Sequence, residues 1–274
     1  MKYPTILTIA GSDSSSGAGI QADLKTASSL GVYAFTAVTA VTAQNSRGVS
    51  GINPVSPEIL LEQLSAITEE TSPDAIKIGM IPDKDCALVI ADFLKKGNYR
   101  NIVYDPVLRS SSGHDLSQSE TLPVILDSII PASSLLTPNI DEAELLSGRK
   151  ISNLHEAEDV GKLICRNYRL SSILIKGGHL ASETLTDILI LQSQDRPLVT
   201  RFSHPKIHTK NTHGTGCTLS SAIASFLALG FNLTEAVGHG IDYLQKALKA
   251  GADYKIGERE GHGPLNHMFT NSYL

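Results

Sequence analysis

The chain has 274 residues, with 23 basic and 28 acidic side chains and a formal charge of −5. Hydrophobic residues make up 41% and charged residues 19%, a balance that excludes intrinsic disorder. The small negative charge argues against nucleic-acid binding, which needs a basic face. Thr26 to Ser46 and Asn211 to Thr234 lack Asp, Glu, Lys and Arg. Both are crowded with Ser, Thr, Gly and Asn, so neither reads as a membrane span. Met1-Lys2-Tyr3-Pro4 enters a strand directly and shows no signal-peptide layout. Cys86, Cys165 and Cys217 form no CxxC pair, which suits a reducing cytoplasm and no disulfide framework.

In chain order, Thr5 to Ala10 reads as a buried strand stopped by Gly11, and Gly17 to Leu30 as a helix ending at Gly31. A Val- and Thr-rich strand covers Phe35 to Thr42. Pro57 to Glu70 is helical, with Ser56 as N-cap before Pro57 at the first position. Ala75 to Ile78 is a strand, and Lys84 to Lys96 a helix ended by Gly97. Asn101 to Asp105 is a strand closed by Pro106, Ser119 to Ile130 a helix, and Ser134 to Thr137 extended. Helices follow near Asp141 to Leu146 and Leu154 to Tyr168, then strands at Ser172 to Ile175, Thr186 to Leu191 and Leu198 to Phe202. Helices near Gly216 to Leu229 and Thr234 to Ala250 close the chain. Strands alternating with helices of this length imply βαβ units and an α/β fold with a mostly parallel sheet. The two consecutive strands after Lys176 imply an antiparallel edge. No linker or repeat interrupts residues 1–274, so one domain is expected. Ligands of open α/β sheets sit beyond the carboxyl ends of the strands. Gly11, Gln44, Gly79, Asp105, Asn139 and Lys176 all fall at or just after such ends.

Four motifs carry candidate chemistry. Gly17, Gly19 and Ala22 match a GxGxxA pattern, yet five residues separate Gly11 from Gly17, and no acid occurs between Asp23 and Glu58. Both facts count against a dinucleotide site. Asn211-Thr212-His213-Gly214-Thr215-Gly216-Cys217-Thr218 opens a helix, where free N–H groups and the dipole form an anion site. The helix start predicts a depressed Cys217 pKa. Alternatives here are a capped helix with a buried cysteine, a Cys217 nucleophile with His213 as base, and a metal cluster of His204, His208 and His213. Asn139 and Glu142 read either as an N-cap pair or as a carboxylate holding hydrated Mg²⁺. Lys176-Gly177-Gly178-His179 puts a lysine at a strand end, either an ordinary surface lysine or a phosphate contact.

At these residues the chain resembles the hydroxymethylpyrimidine/phosphomethylpyrimidine kinases of thiamine biosynthesis. The resemblance covers Gly11 to Thr26, Ala43-Gln44-Asn45-Ser46-Arg47-Gly48-Val49, Lys77-Ile78-Gly79-Met80, Asp105-Pro106-Val107, Thr137-Pro138-Asn139, Lys176 to His179 and Asn211 to Ser220. It implies a single-domain ribokinase-like three-layer α/β/α sandwich. It also implies ATP- and Mg²⁺-dependent phosphorylation of 4-amino-5-hydroxymethyl-2-methylpyrimidine and of its monophosphate, by a cytoplasmic homodimer. On the same basis Asp23 and Gln44 match pyrimidine contacts, and Ala18, Met80 and Val107 the pocket wall. Asn139 matches the phosphate motif, Glu142 and Asp105 the metal site, and Lys176 the phosphate-binding lysine. Gly214, Thr215 and Gly216 match the anion hole, with Cys217 at the catalytic-base position. Many ribokinase-like enzymes carry aspartate where Asn211 and Cys217 stand. A pyridoxal kinase of the same family and a catalytically silent pyrimidine-binding protein are the competing readings.

Overall fold

The alternation of strand and helix closes into one continuous sheet. The computed structural model describes residues 2–107, 120–178, 183–257 and 261–269. The strands are β1 (Thr5–Asp13), β2 (Tyr33–Asn45), β3 (Gly48–Pro54), β4 (Ala75–Ile78), β5 (Ile102–Tyr104), β6 (Leu135–Leu136), β7 (Ser172–Ile175), β8 (Thr184–Leu191) and β9 (Leu198–Pro205). Among the described residues they pair in the order β3-β2-β1-β4-β5-β6-β7-β8-β9. Every pairing from β2 to β7 is parallel. β3 is antiparallel to β2, and β8 and β9 form the antiparallel edge expected after Lys176.

The helices are α1 (Gly19–Ser29), α2 (Pro57–Glu70), α3 (Lys84–Lys96), α4 (Thr121–Val124), α5 (Ile130–Ala132), α6 (Ile140–Ser147), α7 (Leu154–Asn167), α8 (Thr215–Ala228) and α9 (Leu233–Gly251). They cover both faces, as a parallel sheet requires. Side chains alternate along β1: Ile6 joins a core with Ala27 of α1, Ile223 of α8 and Val237 of α9. Leu7 and Ile9 join the opposite core with Leu64 of α2, Ile90 of α3, Ala143 of α6 and Ile164 of α7. No helix among the described residues is long and apolar enough to cross a membrane.

Four differences from the expected elements have physical causes. β1 continues through Gly11 to Asp13, with a register irregularity between Ala10 and Ser12 that lets the strand bend and go on. α1 starts at Gly19 rather than Gly17, because the Asp13 carboxylate takes the Gly17 and Ala18 N–H groups into a loop. β3 was not expected at all; its Gly, Ser, Asn and Pro content reads as a loop, and edge pairing with β2 overrides that. The helix expected over Ser119 to Ile130 is broken by a π turn at Ile125–Ile129 between α4 and α5, and Ser119 lies outside the described residues.

Candidate active site

Parallel strands end on one side of the sheet, so residues after β1, β4, β5 and β7 converge there. They meet the start of α8 around a cavity of about 1260 Å³. No side chain caps α8: its N-cap is Gly214, at φ +88°. A side chain there would be strained, and its Cβ would overlap the Gly17 carbonyl oxygen. The glycine thus lets the α8 loop sit directly on the β1–α1 loop. Thr215, Gly216 and Cys217 of the first helical turn line the cavity, and the helix dipole makes that wall positive.

Opposite this turn lies a charged cluster. Asp105, just past β5, is buried; it accepts hydrogen bonds from Lys176 Nζ at 2.9 Å and Thr137 Oγ1 at 3.1 Å. The Lys176 ammonium also stands 4.0 Å from Glu142 Oε2. Burial alone would lower the Lys176 pKa, but Asp105 and Glu142 outweigh it and raise it. A Cβ at Gly216 would lie 3.1 Å from Asp105 Oδ2 and 3.5 Å from Lys176 Nζ, so the helix start packs directly on the ion pair. Asn139 and Glu142 form a reciprocal capping box at the start of α6. Glu142 Oε2 accepts from Asn139 N at 2.8 Å, and Glu142 N donates to Asn139 Oδ1 at 2.8 Å. Burial, with Asp105 beside it, pushes the Glu142 carboxyl up to about 7 despite Lys176.

The remaining wall suits a small heterocycle. Met80, Val107 and Ala18 line it with Gln44, whose Nε2 lies 3.3 Å from His213 Nε2. Met80 and Val107 form a small apolar cluster with Ala40. Asp13 organises this end. Its carboxylate accepts from Ser15 N, Gly17 N and Ala18 N, and lies 2.8 Å from His213 Nε2. Burial opposes ionisation, but these hydrogen bonds, led by His213, hold the Asp13 carboxyl well below the usual range. Asn211 donates from Nδ2 to the Gly251 and Tyr254 carbonyls at 2.6 and 2.7 Å. An ionised aspartate has no proton for either bond. His213 N donates to Gly263 O at 3.1 Å, so this loop is fastened to the later part of the chain.

The structure thus brings Ala18, Gln44, Met80, Asp105, Val107, Asn139, Glu142, Lys176 and the Gly214 to Cys217 turn to one cavity. It does not bring Asp23 there, which corrects the expectation of a pyrimidine contact. Asp23 is fully buried beneath the site, bonded to Lys77 Nζ at 2.9 Å, to Thr8 Oγ1 and to Ser221 Oγ. The depressed Cys217 pKa is also corrected. Burial, with Asp23 and Asp105 nearby, outweighs Lys77 and the Gly19 N–H and pushes the thiol up to about 11. The histidine cluster is not formed: His204, His208 and His213 pair separately with Asp187, Glu183 and Asp13. His213 faces Asp13, and Cys217 is held as a thiol, so the nucleophile reading loses its base. His179 lies outside the described residues. Sequence reasoning missed Lys77 as a residue of the site; a lysine inside the otherwise apolar β4 is itself the signal, because a buried charge must find a partner.

A mostly parallel α/β sheet wound both ways from β1, an anion-binding helix start and a lysine–carboxylate cluster at its carboxyl edge define a small-molecule kinase of the ribokinase-like class. The family model for phosphomethylpyrimidine kinase matches residues 13–266. A hydroxymethylpyrimidine/phosphomethylpyrimidine kinase of Rhizobium meliloti is 42% identical, over 96% of each chain. One from Bacillus subtilis is 37% identical, over 96% of this chain and 94% of that one. The chain spans about half the length of several other curated relatives, including one from Saccharomyces cerevisiae at 38% identity over 98% of this chain and 50% of the yeast protein. The crystal structure of phosphomethylpyrimidine kinase from Clostridium difficile superposes with a TM-score of 0.77 at 41% identity, covering 90% of this chain and all of that one. An ADP complex of Bacillus subtilis pyridoxal kinase gives 0.86 at 31% identity, covering 97% and 98%. The chain belongs to the phosphomethylpyrimidine kinase family, phosphotransferases of thiamine biosynthesis.

Proposed function

We propose that the protein transfers the γ-phosphoryl group of ATP to the hydroxymethyl oxygen of 4-amino-5-hydroxymethyl-2-methylpyrimidine, and then to the resulting monophosphate. The observation that carries this reading is the meeting, in one cavity, of the α8 helix start, Lys176 and the Gln44–Met80–Val107 wall. The heterocycle lies against Met80 and Val107, with its polar edge on Gln44. Its hydroxymethyl group points toward Cys217. The α8 N–H groups and Lys176 meet the charge that spreads over the transferring phosphoryl oxygens. Little base catalysis is needed, because the acceptor proton leaves late. The thiolate form of Cys217, a small fraction at neutral pH, takes that proton in the alcohol step, while the monophosphate anion has none to lose.

The residues also fit a hydrated Mg²⁺. Asp105 and Glu142 share the single Lys176 ammonium, and the raised Glu142 carboxyl is that of a site short of positive charge. No cluster of three or more His, Cys, Asp or Glu suited to a metal occurs among the described residues. The ion would therefore keep waters and phosphate oxygens in its shell. When bound, Mg²⁺ neutralises the nucleotide's phosphate charge; Asp105 and Glu142 would hold it.

Pyridoxal kinase is the second reading, favoured by the superposition on pyridoxal kinases at a TM-score of 0.86. A cytoplasmic homodimer completes the proposal; three unpaired thiols support the reducing setting, and sedimentation checks the dimer. The deciding experiment is coupled ADP release with MgATP and, in turn, hydroxymethylpyrimidine, its monophosphate and pyridoxal. Turnover of both pyrimidines is expected, and folded protein that turns over neither overturns the reading.

A further inference from the structure

Gln44 sits in a chain of hydrogen bonds whose protons can be counted. Thr42 Oγ1 lies 3.0 Å from the Ser12 carbonyl oxygen and 3.3 Å from Gln44 Oε1. A carbonyl only accepts, so the single hydroxyl proton goes to Ser12 O, and Thr42 Oγ1 turns an acceptor toward Gln44. At the other end, His213 Nε2 lies 2.8 Å from Asp13 Oδ2. Asp13 is an ionised carboxylate, held so by Ser15, Gly17 and Ala18 as well. His213 Nε2 therefore carries its proton and gives it to Asp13, which leaves that nitrogen no lone pair to accept from a Gln44 N–H at 3.3 Å. Ser15 Oγ, 3.4 Å from the same nitrogen, spends its own proton on Asp13 Oδ1 at 2.7 Å. An amide's two ends are told apart by the protons around them. Counted this way, the protons turn the amide over from the pairing of Nε2 with His213 and Oε1 with Thr42, putting the Gln44 oxygen on the His213 side and its NH₂ on the Thr42 side.

We propose that the Asp13–His213 pair and the Ser12–Thr42 pair are positioning residues that lock the Gln44 amide in this one orientation, and so set which heterocycle edge the cavity accepts. Asp13, Thr42 and His213 are all buried and Gln44 is half-buried, so the inner side of the amide faces protein groups while its outer side faces the cavity. The locked amide offers an acceptor near His213 and a donor near Thr42. An amino group beside a ring nitrogen satisfies both, with the amino group on the His213 side. A carbonyl beside a ring N–H presents the reverse pattern and satisfies neither. The inference rests on the proposed pyrimidine site for its ligand, but the lock itself exists without one.

Two measurements test it. In ¹⁵N-labelled ligand-free protein, NMR should find His213 Nε2 protonated and the Gln44 amide protons close to the Thr42 methyl. A bare His213 Nε2, or amide protons close only to the His213 ring, overturns the proposal. Calorimetry then compares 4-amino-5-hydroxymethyl-2-methylpyrimidine with its 4-oxo counterpart. Thr42→Val should cut the preference for the amino compound about tenfold, the scale of one mispaired buried contact. Thr42→Ser, which keeps the hydroxyl, should restore it to within about twofold, and Thr42→Val on a Gln44→Met background should change nothing further. Equal weakening of both compounds by Thr42→Val, or an effect that persists without Gln44, also overturns the lock. Failure of ADP release with intact amino-compound preference would instead remove only the kinase reading.

Discussion

Cys217 shows how far a residue's neighbours can override its local setting. Its place at the start of α8 argues for a thiolate, whereas Asp23, Asp105 and burial hold the proton on, up to about 11. Below that value the thiolate fraction rises about tenfold per pH unit. The rate of the alcohol step should therefore climb between pH 7 and 9, while the monophosphate step stays flat. Cys217→Ser should flatten the first profile and leave the second unchanged; parallel profiles in the native protein would remove the base role. Glu142 is shifted in the same direction, by burial and Asp105. With its carboxyl raised to about 7 from the ordinary 4.5, it is partly protonated at neutral pH and must ionise to help hold a cation. The Mg²⁺ concentration for half-maximal activity should fall as pH rises from 6 to 8, and Glu142→Gln should abolish that dependence. Both carboxylate and thiol were readable in the sequence as candidates, since each stands at a helix start. Their proton affinities were not, because those are set by Asp105, Asp23 and Lys176, which are distant in sequence. Asp23 was misplaced for the same reason: nothing adjacent to it reports its burial under the sheet's edge.

The elements that were fully legible carry local punctuation. α2 keeps its expected bounds because Ser56 caps it and Pro57 starts it. α3 keeps its own between the Asp83 cap and Gly97. β4 and β7 are apolar runs too short for helices, and their expected bounds hold. Asp83 accepts from Cys86 N at 2.8 Å, a full capping bond on the helix layer packed against α2. Asp83→Ala should cost about 1 kcal/mol in chemical denaturation and leave ADP release unchanged. A loss of activity at unchanged stability would mean that α3 reaches the site. β3 and the far end of β1 were illegible because their stability comes from pairing with β2 rather than from their own residues. The π turn between α4 and α5 left no mark in the periodicity.

On the scale of the whole molecule, the Asp23–Lys77 pair ties the layers together under the site. Asp23 belongs to α1, Lys77 to β4, Thr8 to β1 and Ser221 to α8, and all four meet at one carboxylate. Burial would lower the Lys77 pKa, but Asp23, with Asp105 nearby, outweighs it and raises it. Asp23→Asn would leave that ammonium uncompensated in the interior and should cost about 3–5 kcal/mol, read from the urea midpoint. A loss below about 1 kcal/mol would show that Lys77 finds a second partner. The α/β class and the mostly parallel sheet were readable from the strand–helix rhythm, whereas this buried knot, built from four separate segments, was not. The α8 loop has a comparable debt to distant chain. Asn211 holds the carbonyls of Gly251 and Tyr254, His213 N donates to Gly263, and Thr218 Oγ1 lies 2.8 Å from His267 Nε2. None of residues 261–269 belongs to a strand of the sheet. A protein shortened to end at Gly257 should thus keep its circular dichroism spectrum while its nucleotide affinity collapses, because the far tail works as a splint for a phosphate cradle formed some fifty residues earlier.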